Sequence, residues 1–439
     1  MPCTFWAALP VRGRKTGRLE RMNRATGSNF LARSRAALAV IAGGSARDLS
    51  RLAGRGAGGM IGGRVALALD PQAIAALART KRSVIVSGTN GKSTTTKMVR
   101  AALGTDGAVA SNTRGDNMPP GVCTALMNDR TAPFAALEVD EMYVPAVAKQ
   151  VHPDALVLLN LSRDQLDRVG EIGAVEMRLR QAVQENPQAH VIANCDDPLV
   201  VSAAWEAPKV TWVAAGSSWG ADATTYPRGG GLVNRNGNDW WVEGGPSRPQ
   251  PDWWLEGNVL HHQGGSYPLD LSLPGQVNLN NAAQAVAAAV ALGIAPEVAA
   301  RAVGTVTEVA GRYQVFDVAG RQVRLLLAKN PAGWKEALRM ADPDSRQVVI
   351  ATNGQVPDGE DLSWLWDVDF EVLDEPPALF ASGDRAEDLA VRLVYGGFAP
   401  TTITDPYEAI QMCEPGKVEV LLNYTALRDL LPKLEEAAQ

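Results

Sequence analysis

The sequence predicts an α/β protein built on parallel-dominated sheets, and three observations carry that expectation. From about residue 71, short apolar runs alternate with helical patterns, the rhythm of stacked βαβ units. The runs are β-branched or Leu-rich and end at polar or Gly residues, as strands buried on both faces do. A strand, a Gly-containing turn and a helix then follow one another from residue 83, the order of a phosphate cradle. A chain of 439 residues holds two or three domains at roughly 150 residues each.

Residues 1–45 read as a basic tail, disordered in part: Arg12, Arg14, Lys15, Arg18, Arg21 and Arg24 face only Glu20. No apolar run follows them, so they do not make a secretory signal. Residues 46–309 form the central domain, with strands expected at 83–87, 135–139, 155–160 and 190–193. Between residues 216 and 265 the texture changes to Gly, Pro, Asn and Trp, including Trp240, Trp241, Trp253 and Trp254, which predicts a small antiparallel insertion. Helices are expected at 281–292, an Ala-rich stretch, and at 296–303. Residues 310–439 repeat the β/α rhythm as a Rossmann-like domain, with strands at 322–327, 347–352, 378–382 and 418–422. Helices at 334–340 and 385–394 separate them.

Composition removes several functions. With 42 Lys and Arg against 48 Asp and Glu, the net charge of −6 offers nucleic acid no electrostatic footprint. No segment approaches the ~20 apolar residues of a membrane span. Cys3, Cys123, Cys195 and Cys413 lie far apart with no paired spacing, which argues against a disulfide framework and fits a reducing cytoplasm.

The strongest local signal is Gly88-Thr-Asn-Gly-Lys-Ser93 between a strand and a helix. Gly88 and Gly91 let the backbone curl so that N–H groups point inward, and the helix that begins here turns its positive end toward phosphate. Thr89, Asn90 and Thr94 complete the cradle, Lys92 is expected to reach the β- and γ-phosphates of ATP, and the Ser93 hydroxyl to meet Mg²⁺. The first glycine of the general pattern would fall at Val86, so this is the shorter form of the loop. A second ligand for Mg²⁺ is expected at a neighbouring strand end, where Glu138, Asp140 and Glu141 cluster and Glu138 is chosen.

Five further stretches extend the pattern. They are Leu161-Ser-Arg-Asp-Gln-Leu-Asp-Arg-Val-Gly-Glu-Ile172, Asn194-Cys-Asp-Asp-Pro198, Gly275-Gln-Val-Asn-Leu-Asn-Asn-Ala-Ala283, Leu327-Ala-Lys-Asn-Pro-Ala-Gly333 and Asp358-Gly-Glu-Asp-Leu-Ser-Trp-Leu-Trp-Asp367. With the phosphate loop they resemble the Mur ligase family, ATP-dependent amide-bond-forming enzymes. The last two resemble its MurT branch, the ligase-like subunits of lipid II isoglutaminyl synthase. The resemblance implies a Mur ligase-like central domain with a degenerate ribbon insertion, and ATP-driven amidation of the D-isoglutamyl α-carboxylate of lipid II through an acyl phosphate. It implies Lys92 and Glu138 in catalysis, Asn278 and Asn281 near the nucleotide, and Arg312 at the domain junction.

It also implies a partner, a glutamine amidotransferase subunit of the GatD type, docked on the C-terminal domain and completed by the Asp361 carboxylate. Cys123 and the four histidines stand in no glutaminase motif, in keeping with ammonia made elsewhere. Many MurT proteins carry a four-cysteine zinc ribbon; here Tyr226-Pro-Arg-Gly and Trp241-Val-Glu-Gly occupy its knuckles, so no structural zinc is expected. Asn353-Gly-Gln stands where the family usually has a second carboxylate, and Trp364, Trp366 and Phe370 are expected at the partner interface. Peripheral contact with the inner membrane face follows from a polyprenyl substrate. The rival expectation is an amino-acid-adding ligase of the Mur or folylpolyglutamate type.

Overall fold

The computed structural model describes residues 42–45, 60–112, 116–162, 172–216, 223–307, 313–342, 344–356, 358–373 and 376–438. Nearly all of the basic tail therefore lies outside the described residues.

The larger sheet has nine strands: β1 (Arg82–Ser87), β2 (Val109–Ser111), β3 (Phe134–Glu138), β4 (Ala155–Leu158), β5 (His190–Asn194) and β6 (Val210–Val213) come first. A separate hairpin of β7 (Val233–Asn236) and β8 (Asp239–Val242) precedes β9 (Trp253–Glu256), β10 (Val259–His262) and β11 (Gly265–Pro268). The spatial order is β11-β10-β9-β6-β5-β4-β1-β3-β2. β1 pairs in parallel with β3 and β4, and Val84, Ile85 and Val86 are fully enclosed, which is why this stretch is apolar without alternation.

The helix Lys92–Leu103 leaves the end of β1 and packs against the helix Gln276–Ala291. Ala282, Ala283, Ala285, Ala288 and Ala289 are buried there with Met98, Val99 and Leu103, and small side chains let the two backbones approach closely.

The Gly- and Trp-rich stretch divides differently from the expected insertion. Only β7 and β8 stand apart, with Trp240 fully buried against Tyr226. β9 to β11 continue the main sheet instead, because Trp253 pairs with Val213 of β6 and buries its ring in the same core. β2 and β6, three and four residues long, were too short to announce themselves as apolar runs.

The second sheet holds β12 (Tyr313–Val318), β13 (Arg321–Leu327), β14 (Gln347–Ala351), β15 (Ala378–Ser382), β16 (Thr401–Thr402) and β17 (Gly416–Leu422). Their order is β12-β13-β17-β14-β15-β16, parallel except for the antiparallel edge pair β12 and β13. Trp364 and Phe370, expected at an interface, belong to this domain's core, where both lie about 6 Å from the Trp334 ring (5.9 Å each). Trp366 alone of the three is exposed, set edge-on to Tyr395. Among the described residues no helix is long and apolar enough to cross a membrane.

Candidate active site

The phosphate loop forms because two glycines take backbone conformations that other residues resist. Gly88 has φ 137° and Gly91 φ 87°. A Cβ at Gly91 would stand 2.5 Å from Asn281 Oδ1, so the loop and the Ala-rich helix touch here only because the side chain is absent. This brings Asn281 against the loop. Asn278 is half-buried and donates from Nδ2 to the Pro274 carbonyl at 2.6 Å, which ties down the turn into its own helix.

The end of β4 grips the same loop. Asn90 N–H donates to Asn160 Oδ1 (2.9 Å), and Asn160 Nδ2 donates to the Asn90 carbonyl (3.0 Å). Ser162 N–H donates to Thr89 Oγ1 at 3.0 Å, and Thr89 N–H to the Asn160 carbonyl at 2.8 Å. The loop shape is therefore held by the protein itself before any nucleotide arrives.

Lys92 is buried, and its ammonium donates to the Gly88 carbonyl at 2.6 Å and to Glu141 Oε1 at 3.0 Å. Glu141, from the same acidic cluster as Glu138, is thus the carboxylate that meets the loop lysine. Asp140 caps the short turn Glu141–Tyr143 by accepting from Met142 N–H (3.1 Å). Glu138 ends β3 in register with Val86, its N–H donating to Asn112 Oδ1 at 2.8 Å. Its Oε2 is buried without a hydrogen-bond partner among the described residues. A carboxylate oxygen in that setting calls for a cation or a donor, so the donor set of Glu138 with the half-buried Ser93 fits a hard divalent ion such as Mg²⁺.

The second domain reaches the cradle through Asn330. Its Oδ1 accepts from Gly333 N–H (2.8 Å), capping the helix Pro331–Met340, and lies 3.4 Å from Asn90 Nδ2. Sequence reasoning noted the motif around Asn330 without placing it in the site. An Asn immediately before Pro331 is the available signal, since it marks a helix cap at a strand end.

Family models match two stretches: the Mur ligase middle domain over residues 86–289 and the MurT ligase C-terminal model over residues 327–427. The subunit MurT of lipid II isoglutaminyl synthase (glutamine-hydrolyzing) from Streptococcus pneumoniae is 29% identical, over 90% of this chain and 96% of its own length. The protein of that name from Staphylococcus aureus is 28% identical over 89% of this chain and 96% of its own. The chain belongs to the Mur ligase family. The C-terminal match puts it in the MurT branch, and the family makes it an ATP-dependent ligase. Among solved structures, MurF from Acinetobacter baumannii shares the fold with TM-score 0.65 and 19% identity, covering 85% of this chain and 80% of that one. MurF from Thermotoga maritima, solved in complex with ADP, superposes with TM-score 0.56 and 15% identity over 83% and 84%.

The remaining candidates of this Mur ligase lie away from the cradle or outside the described residues. Asp361 is exposed in the loop after β14, and the Ser363 N–H that it accepts at 2.8 Å holds its carboxyl below the usual range. Arg312 lies outside the described residues, as does most of the stretch 161–172. Cys123 is fully buried, and burial pushes its thiol up to about 12, which suits a packing residue and not a thiolate nucleophile.

Proposed function

We propose that this chain is the synthetase subunit of a lipid II isoglutaminyl synthase. It amidates the α-carboxylate of the D-isoglutamyl residue in the lipid II stem peptide, giving D-isoglutamine, with ammonia from a glutaminase subunit of the GatD type. The observation that carries the reading is the match to two relatives of that name over nearly their whole length, with the C-terminal model spanning the Asp361 loop.

The chemistry follows from the weakness of a carboxylate as an electrophile. A carboxylate oxygen takes the γ-phosphoryl group of ATP and ADP leaves, and ammonia then attacks the carbonyl carbon of the acyl phosphate. Phosphate departs and a proton is lost from nitrogen. Lys92 is the cation for the charge that grows on the phosphoryl oxygens, released for the task from Glu141. The loop amides and the N-terminus of the helix Lys92–Leu103 hold the remaining phosphates, with Thr89, Asn90, Thr94 and Asn281 around them. Mg²⁺, held by Ser93 and Glu138, supplies charge neutralisation when bound.

Residues 46–309 bind ATP and residues 310–439 dock the glutaminase, whose catalytic triad Asp361 completes. Asn278 supports the turn into the Ala-rich helix, and Arg312 closes over the nucleotide from the domain junction. The subunit works in the cytoplasm against a substrate anchored in the membrane.

The test is to assay the chain with and without its glutaminase on a lipid II precursor and follow the product by mass. Glutamine and ATP yield a carboxamide product only when both subunits are present. ATP consumption with glutamate addition, and no carboxamide, would establish the amino-acid-adding rival instead.

A further inference from the structure

Asp361 is exposed, yet the loop that carries it is pinned on both sides. After it, Leu362, Trp364 and Leu365 are buried in the core beneath β14 and β17. Before it, Asp358 is buried, and its carboxylate takes the first two N–H groups of the helix Tyr424–Ala437, whose own cap is Asn423. Asp358 Oδ1 accepts from Tyr424 N–H at 2.9 Å, Oδ2 accepts from Thr425 N–H at 3.1 Å, and the Thr425 hydroxyl closes onto Oδ2. The Asp358 N–H donates to the Gln355 carbonyl at 2.8 Å, and Gly359 turns the chain outward at φ 85°. The arc from 358 to 362 thus has one polar anchor on a helix N-terminus and one apolar anchor in the core, with Asp361 at its crest.

A buried carboxylate facing a helix N-terminus is fixed by charge and by direction, so its neighbours are fixed with it. We infer that Asp358 is a positioning residue for Asp361: by clamping the loop to Tyr424 and Thr425 it sets where the Asp361 carboxylate meets the glutaminase subunit. The inference rests on the proposed role of Asp361 and deepens it. The Asp358 carboxylate is turned inward onto Tyr424 and Thr425, so the role assigned to it is exerted through the loop.

The full chain in complex with its glutaminase subunit is assayed with lipid II, once with glutamine and once with saturating ammonium as nitrogen donor. Asp358→Asn turns an acceptor into a donor that faces Thr425, and Thr425→Val removes the hydroxyl without touching the loop. Each lowers the glutamine-dependent rate about tenfold or more and changes the ammonium-dependent rate less than about twofold. Thr425→Ser, which keeps the hydroxyl, restores the glutamine-dependent rate.

Equal losses with both nitrogen donors, or no loss with either variant, would overturn the inference. Asp361→Asn separates the two levels. If it cripples glutamine use while Asp358→Asn and Thr425→Val do not, the positioning role fails and the Asp361 reading stands. If Asp361→Asn leaves glutamine use intact, the Asp361 reading fails and the positioning role falls with it.

Discussion

Lys92 sits between two demands. Its ammonium is held by Glu141 and by its own loop's carbonyls, so nucleotide must offer a better anion to draw it out. Lys92→Ala abolishes ATP turnover, measured as ADP release, and leaves Glu141 nearly buried without its cation, a destabilisation of about 1–3 kcal/mol. Adding Glu141→Gln recovers that stability in thermal melts without restoring turnover. Gly91→Ala is equally severe for a different reason: a methyl group at φ 87° meets Asn281 Oδ1, so ADP affinity in calorimetry falls by at least tenfold. Both residues were legible in the sequence because a Gly-Lys-Ser turn between a strand and a helix has few other uses. The pairing of Glu141 with Lys92 was not legible, since acids clustered at a strand end differ only in which way the chain turns after β3. That turn is set by the Asp140 cap, a local hydrogen bond with no periodic signature.

At the scale of elements, the close pair of helices Lys92–Leu103 and Gln276–Ala291 governs stability near the cradle. Ala288→Leu inserts a branched side chain where none fits, costing about 1–3 kcal/mol in denaturant unfolding. The helix Pro198–Ala204 carries a pH dependence. Burial pushes its cap Asp197 up to about 6, against the N–H groups of Leu161, Leu199 and Val200 that pull it down. A carboxyl raised above its unfolded value of about 3.9 favours the fold in its neutral form, so its contribution is full below about pH 4 and lost as pH rises through about 6. The melting-temperature difference between wild type and Asp197→Asn therefore shrinks from pH 4 to pH 6 and is flat above pH 7. Buried strands such as β1, β3 and β15 were read to within a residue because burial on both faces leaves an unbroken apolar run. β9 to β11 were misplaced because a Trp among turn residues says that something is buried, not which sheet buries it. Trp364 and Phe370 failed for a related reason: the same aromatic composition serves a core or an interface, and Trp334 on another helix decided it.

For the whole molecule, the loops that follow β1 and β13 touch at the cradle through Asn90 and Asn330, and Asp361 stands on the far domain's loop. The Rossmann-like rhythm of the second domain was readable, but that contact was not, since 240 residues separate its partners. Metal analysis of the purified chain is expected to find zinc far below stoichiometric. Zinc needs about four N or S ligands, and the nearby histidines are otherwise engaged, His261 Nδ1 with Ser266 Oγ at 2.8 Å and His262 stacked on Trp253.

The joint between the parallel strands and β9 has one register pair, Val213 with Trp253, flanked by backbone hydrogen bonds from Ala214 to Trp253 and from Asp252 to Trp212 and by the Trp212 N–H donating to Asp252 Oδ2 at 2.8 Å. So narrow a seam in the backbone ladder predicts two cooperative units of unequal strength within the sheet. Hydrogen exchange is expected to find the amides of β9 to β11 opening together and earlier than those of β1 and β4, so that the outer strands can fray and rejoin while the nucleotide cradle stays closed to solvent.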